Sequence, residues 1–191
     1  MNKVKNYLSL VKFSHTIFAM PFALIGFFLG ITSYGYWDIL NNQKSYEYYF
    51  FGLIPDFSNY PQSLEEFGLR FILVIGCMIF ARSAAMAFNR WLDKNFDAKN
   101  PRTAIREIPA GIIKSNSALW FVIVCCLLFV VCCYFINSIC FYLSPVALFV
   151  VLFYSYTKRF TALCHLVLGV GLSLAPIGAY LAVTGQFALL P

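Results

Sequence analysis

The sequence predicts an all-α fold, a polytopic bundle of transmembrane helices, on three observations. Of its 191 residues, 61% are hydrophobic and only 12% are charged, where a soluble domain carries about 25% charged residues. Several long runs hold no formal charge, and a bilayer crossing needs only about 20 mostly apolar residues. The basic residues gather between those runs instead of spreading along the chain. A composition of this kind cannot clothe a water-facing surface, which excludes a soluble enzyme and a disordered tail. The net charge of +6 calls for no nucleic acid, because membrane topology accounts for it.

The first span is expected at about 15–35, inside the charge-free run from Phe13 to Trp37. That run is too long for the apolar core of a signal peptide and lacks a small-residue cleavage site. Residues 38–68, rich in Tyr, Phe, Asn and Pro, are expected to form an outer loop whose aromatic side chains suit a membrane interface. A second span is expected at about 69–91, where Arg82 is the one charge between Phe71 and Phe88. From Ser115 to Thr157 no residue is charged over 43 positions, which is about 64 Å of helix. That length makes two crossings, at about 117–136 and 139–157, with Asn137-Ser138 as the polar turn between them. The fifth span is expected at about 162–183.

Charge placement gives an orientation. Lys3, Lys5 and Lys12 precede span one, six basic residues from Arg90 to Lys114 surround the loop after span two, and Lys158 and Arg159 follow span four. All eleven fall on one side of a chain that crosses five times. The positive-inside rule makes that side cytoplasmic, with the N-terminus. Of the seven cysteines, none forms a CxxC pair, and they are expected to serve as small apolar packing residues.

One polar cluster resists such a plain reading. Arg82, Asn89, Asp93 and Asp97 fall within an arc of about 100° if the second span stays helical to Asp97, at 100° per residue. Carboxylates are disfavoured at a helix C-terminus, and like charges four residues apart repel. A divalent cation removes both objections, and hard Asp and Asn oxygens suit Mg²⁺ bridged to phosphate. The opposing view is that Asp93 and Asp97 pair with Lys94, Lys99 and Arg90 at a solvated membrane edge. Arg82, ionisable within a span, is a functional candidate. The segment Asn100-Pro-Arg102-Thr-Ala-Ile-Arg106-Glu-Ile-Pro109 follows at once. Pro101 ends any helix continuing from span two, and the two arginines share a face if their segment is helical. Guanidinium groups so close to two carboxylates suit a bound diphosphate.

The run Asn89-Arg-Trp-Leu-Asp93-Lys-Asn-Phe-Asp97-Ala-Lys-Asn100-Pro-Arg-Thr103 resembles the first Asp-rich motif of the UbiA-type intramembrane aromatic prenyltransferases. His15-Thr-Ile-Phe-Ala-Met-Pro21 is similar to that family's opening helix. Tyr154-Ser-Tyr-Thr-Lys-Arg159 is similar to its basic-aromatic element after the fourth helix, and Ala175-Pro-Ile-Gly-Ala-Tyr180 to its fifth helix. The resemblance implies a helix bundle around a cavity open to lipid, with Mg²⁺ holding a polyprenyl diphosphate at the cytoplasmic mouth. It implies that Asn89, Asp93 and Asp97 are the metal and catalytic residues. It assigns Arg102, Lys158 and Arg106 to phosphate oxygens, Arg159 to substrate binding beside them, Lys12 to the same cavity, and Tyr154 or Tyr156 to the developing allylic cation. Arg82 joins them as a substrate-binding residue.

The implied reaction transfers a polyprenyl group to an aromatic acid of the 4-hydroxybenzoate type in quinone biosynthesis, ubiquinone or, with a naphthoate acceptor, menaquinone. The expected setting is a bacterial inner membrane. The family also carries a second Asp-rich motif and eight or nine helices, whereas this sequence has no Asp beyond Asp97. The expectation is therefore the N-terminal portion of such a bundle. The alternatives are a non-catalytic membrane protein that binds lipid diphosphates, and a small transporter using Arg82 and Asp93 as a relay.

Overall fold

The computed structural model of the chain describes residues 3–33, 64–161 and 163–187. Six helices appear among them: α1 (Lys3–Leu10), α2 (Phe13–Ser33), α3 (Leu64–Asp97), α4 (Ser115–Ile136), α5 (Ser138–Thr157) and α6 (Cys164–Thr184). Four of these, α3 to α6, are long and apolar enough to cross a membrane. The first expected span corresponds to α2, whose 21 residues give about 31 Å at 1.5 Å per residue. Large apolar side chains such as Trp120, Phe135, Phe149 and Leu166 face outward and are exposed, as lipid-facing positions require. The chain is an integral membrane protein.

The elements differ from the sequence expectation at their ends. Helix α3 begins at Leu64, so the last residues of the expected 38–68 loop are helical. The rest of that loop, the side chain of His15 and position 162 lie outside the described residues. Helix α3 also runs beyond its apolar stretch to Asp97, the extension that the shared face of Asn89, Asp93 and Asp97 requires. It stops four residues before Pro101, and the segment beyond forms successive turns instead of a helix. Helix α1 is an unexpected element, too short and too polar to mark itself in a hydropathy pattern.

Packing proceeds in two layers. Buried residues of α2 recur at helical spacing, Thr16, Ala19, Ala23, Phe27 and Gly30, and that face meets α6. Gly26 and Gly30 make the approach possible. A Cβ at Gly26 would lie 2.1 Å from the Pro176 carbonyl oxygen, and one at Gly30 would lie 2.9 Å from the Val183 Cβ. Small residues four apart are a recurrent device for close helix contact in membranes. Around this contact Ala23, Phe27, Val74, Ile136 and Val183 form one core cluster. At the other end of the bundle Leu10, Val11, Ala87, Ile108, Ile113 and Val122 are among those that form a second. This second cluster binds α1 and the turns after α3 to the helices and thereby supports the polar site.

Polar side chains close the helix ends. Asn137 forms the α4–α5 turn: its Oδ1 accepts the Cys140 N–H at 2.7 Å, and its Nδ2 donates to the Leu181 carbonyl at 2.8 Å. Arg70 donates to the carbonyls of Ala182 and Val183 at 3.1 and 3.3 Å, where the C-terminal end of α6 favours a cation. All seven cysteines are free thiols, with Cys125, Cys133 and Cys164 buried and the Cys77 and Cys133 sulfurs 3.8 Å apart.

Candidate functional site

Three chain segments meet at one end of the bundle: the last three turns of α3, the turns over 98–114, and the end of α5 with the two residues after it. Asn89, Asp93 and Asp97 follow one another at four-residue intervals on α3. Asp93 and Asp97 are buried at 7% exposure each. Carboxylates so far out of water demand charged or hydrogen-bonding partners, and each has them.

Asp93 is paired with Lys158, which reaches its Oδ2, and with Arg159, whose Nη2 lies 3.3 Å from its Oδ1. Lys158 also donates to Asn89 Oδ1 at 3.3 Å, while the Asn89 amide donates to Ser155 Oγ at 3.4 Å. Arg159 donates to the Leu92 carbonyl at 2.6 Å and stacks over the Phe96 ring at 5.1 Å. Asp97 is held by Arg106, whose Nη1 lies 2.9 and 2.8 Å from the two carboxylate oxygens. The partners of both carboxylates thus come from other segments. The pairing with Lys94, Lys99 and Arg90 that a solvated edge predicts is absent among the described residues. Lys94 instead donates to Ser115 Oγ at 2.9 Å and sits over the Trp91 ring.

The sequence after Asp97 explains how the loop turns back. Asn100 Oδ1 accepts the Arg102 N–H at 3.0 Å, and Thr103 Oγ1 donates to the Asp97 carbonyl at 2.9 Å. An Asn side-chain oxygen that accepts the N–H two residues on is a common turn device, and the Thr adds a second donor to a carbonyl at the helix end. Gly111, at φ 73°, supplies the left-handed residue at which the loop turns toward α4.

Not every expected residue joins the carboxylates. Arg102 is exposed, and its side chain has no hydrogen bond or ion pair among the described residues. Lys12 stands exposed at the α1–α2 junction with φ 43° and makes no bond to Asp93 or Asp97. Tyr156 packs against Phe88, ring centroids 5.9 Å apart, whereas Tyr154 enters through its carbonyl, which accepts from Thr157. Arg82 lies about two turns deeper than Asn89 on α3, and its buried Nε has no hydrogen-bond partner.

Sequence reasoning missed three participants. Glu107 is paired with Arg90, buried at 8% exposure, and also accepts a hydrogen bond from Ser9 of α1. Ser9 and Glu107 are 98 residues apart in sequence, so no local spacing announces them. The donor set suits a hard cation: two carboxylates and an amide oxygen on one helix face, neutralised now by Lys and Arg side chains. Among the described residues no three His, Cys, Asp or Glu side chains converge, so a metal here would complete its shell with other oxygens, as Mg²⁺ commonly does.

Comparison with known proteins places the chain by family and fold. Residues 60–191 match the UbiA prenyltransferase family. The chain is 36% identical over 126 residues to the 4-hydroxybenzoate octaprenyltransferase of Tolumonas auensis, covering 66% of this chain and 44% of that protein. It is 33% identical over 126 residues to the protein of the same name from Aliivibrio fischeri, covering 64% and 42%. The matched region is thus less than half the length of these relatives. A UbiA homologue from Aeropyrum pernix has the same fold over 93% of this chain and 53% of its own, with a TM-score of 0.68 and 27% identity. A UbiA homologue from Archaeoglobus fulgidus, whose structure holds DMAPP and Mg²⁺, superposes with a TM-score of 0.63 at 18% identity, over 97% and 56%. The chain belongs to the UbiA prenyltransferase family.

Proposed function

We propose that this chain supplies the diphosphate-binding part of a membrane enzyme. That enzyme moves a polyprenyl group from a polyprenyl diphosphate to an aromatic acid of the 4-hydroxybenzoate type, in quinone biosynthesis. The observation that carries the reading is the convergence of Asn89, Asp93 and Asp97 with Lys158, Arg159 and Arg106 at one mouth of the bundle. Family membership and the names of the bacterial relatives support it.

Asn89, Asp93 and Asp97 are the residues that would hold Mg²⁺, which when bound neutralises charge on a departing diphosphate. Lys158, Arg159 and Arg106 now neutralise the carboxylates, and the Lys158 and Arg106 side chains are each one-third exposed. They are therefore free to turn from carboxylate to phosphate oxygens, where charge-assisted hydrogen bonds are strongest. Arg102, exposed on the same loop, is a further phosphate partner, and Lys12 extends the basic rim.

In the proposed reaction the allylic C–O bond breaks and its electron pair leaves with the diphosphate. The allylic carbon then bonds to a ring carbon of the acid, and that carbon's proton departs to restore aromaticity. Donors aimed at the diphosphate lower the barrier to this cleavage. Water must be kept from the cation, which the bilayer-embedded walls achieve. The Tyr156 ring, or that of Tyr154, offers the cation a π-face.

An apolar groove of about 440 Å³, lined by Phe88, Leu119, Val122, Cys126 and Leu152 among others, suits an isoprenoid tail. Arg82 is the proposed contact for the acid's carboxylate, because a half-buried guanidinium whose buried Nε has no partner is completed by an anion. The setting is a bacterial inner membrane with the N-terminus and the basic loops cytoplasmic.

The reading is tested with membranes that hold the protein, supplied with Mg²⁺, polyprenyl diphosphate and 4-hydroxybenzoate. Ring-prenylated acid is expected, and Asp93→Asn is expected to abolish it. Product from a naphthoate acid alone would move the acceptor to the menaquinone type. No product from either acid would contradict the proposal.

A further inference from the structure

We propose that Glu107 is a positioning residue for Arg106. In this view the Arg90–Glu107–Ser9 junction is a fixed pivot, and the Arg106 guanidinium swings on it between Asp97 and a bound diphosphate. The inference rests on the diphosphate reading of the site and assigns a role that Glu107 would lack as a plain surface acid.

Two consecutive loop residues engage two residues of α3 that lie seven apart, about 10 Å along the helix. Arg106 takes Asp97, and Glu107 takes Arg90. The charge order on the loop is therefore complementary to that on the helix. A slip that carried Glu107 toward Asp97 would set like charges together, so the ion pairs fix the register of the loop.

The two pairs are unequal. Arg90 and Glu107 side chains are 10% and 13% exposed, whereas Arg106 is 34% exposed. Breaking a pair that is buried on both sides strands two charges away from water, whereas Arg106 reaches water and leaves only Asp97, 10% exposed, to be compensated, which a divalent cation on that carboxylate would do. The Glu107 carboxylate is occupied at both oxygens, by Arg90 on one and Ser9 on the other. Its backbone is also held, since its carbonyl accepts the Ile113 N–H at 2.9 Å, and the Arg106 carbonyl accepts that of Ala110 at 2.9 Å. Buried Ile108 and Ile113 pack beside Leu10 and Val11. Everything at the root of Arg106 is anchored to protein, and its partly exposed guanidinium is held by Asp97 alone among the described residues.

A double-mutant cycle on the chain in lipid nanodiscs tests this, with inorganic pyrophosphate and Mg²⁺ as the titrant and Tm recorded in parallel. Glu107→Gln is expected to weaken binding roughly tenfold when Arg106 is present, and less than about twofold in the Arg106→Ala background, because contacting groups couple and independent ones add. Equal losses in both backgrounds, or unchanged affinity, would overturn the inference while leaving the diphosphate site intact. A loss of Tm alone, with no coupling to Arg106, would assign Glu107 a structural role and overturn it likewise. Should Glu107→Gln fail to fold, Ser9→Ala keeps the ion pair and is expected to give a smaller loss that also vanishes without Arg106. No pyrophosphate binding by the unaltered chain would overturn both the diphosphate reading and this inference.

Discussion

Asp93 shares its two oxygens between Lys158 and Arg159, both contributed by the far end of α5. Neutralising it therefore releases two cations at once and removes one oxygen donor from the metal set. Asp93→Asn is expected to weaken Mg²⁺-dependent diphosphate binding at least tenfold, an effect of about 1.4 kcal/mol or more. Lys94→Gln, which alters a side chain engaged with Ser115 and Trp91, is expected to change it less than about twofold; titration calorimetry compares the two. Arg82 behaves differently, because it is half-buried and its buried Nε without a partner lowers stability. Replacing such a group by an apolar one of similar volume is often neutral or stabilising. Arg82→Met should keep or raise Tm, leave diphosphate binding unchanged and abolish binding of the aromatic acid. The carboxylates and Asn89 were legible in the sequence because helical spacing put them on one face and their position at a helix end was otherwise unfavourable. Their partners were not. Lys158 and Asp93 are 65 positions apart, and Ser9 and Glu107 are 98 apart, so only the fold could bring them together.

At the scale of helices, the contact between α2 and α6 is set by glycine. With the Pro176 carbonyl 2.1 Å from where a Gly26 Cβ would stand, Gly26→Ala forces the two backbones apart. Overpacking of this kind costs about 1–3 kcal/mol, whereas Gly169, with open space around it, should accept Ala without loss. Thermal unfolding in one detergent compares the two variants. Asn137→Ala removes both the α5 cap and the bond to Leu181; about 1–2 kcal/mol of stability should be lost. The four long spans and the Asn137 turn were readable, since uncharged runs and one polar break are strong signals in a membrane chain. The helical start at Leu64 was hidden by the polar and aromatic residues around it. Helix α1 was hidden by its brevity, although Leu10 and Val11 prove fully or nearly fully buried. The turns over 98–114 were foreseen as a break at Pro101 but not as a loop pinned back onto α3. Asn100, Thr103 and Glu107 do that pinning through bonds a spacing pattern does not express.

For the whole molecule, the described residues gather Asn89, Asp93, Asp97, Arg106, Lys158 and Arg159 at one end of the bundle and leave the flanks of the helices largely apolar, which suits a site at a membrane face. The charge distribution predicts that this face is cytoplasmic. A single cysteine placed at exposed Lys99, in a background without the native thiols, should react with a membrane-impermeant maleimide in inside-out vesicles and not in intact cells. The reverse pattern would invert the topology. The matched region spans less than half of the curated relatives, and within it the described residues bring together Asn89, Asp93 and Asp97 with Lys158, Arg159 and Arg106, the arms of the proposed diphosphate site. The central claim is that these arms bind a diphosphate through a divalent cation. Titrating the chain in nanodiscs with geranyl diphosphate, with and without Mg²⁺, tests it most directly. Saturable binding that requires Mg²⁺, and that disappears in Asp93→Asn and in Asp97→Asn, is the predicted result. Binding of equal strength without Mg²⁺, or in either variant, would contradict it.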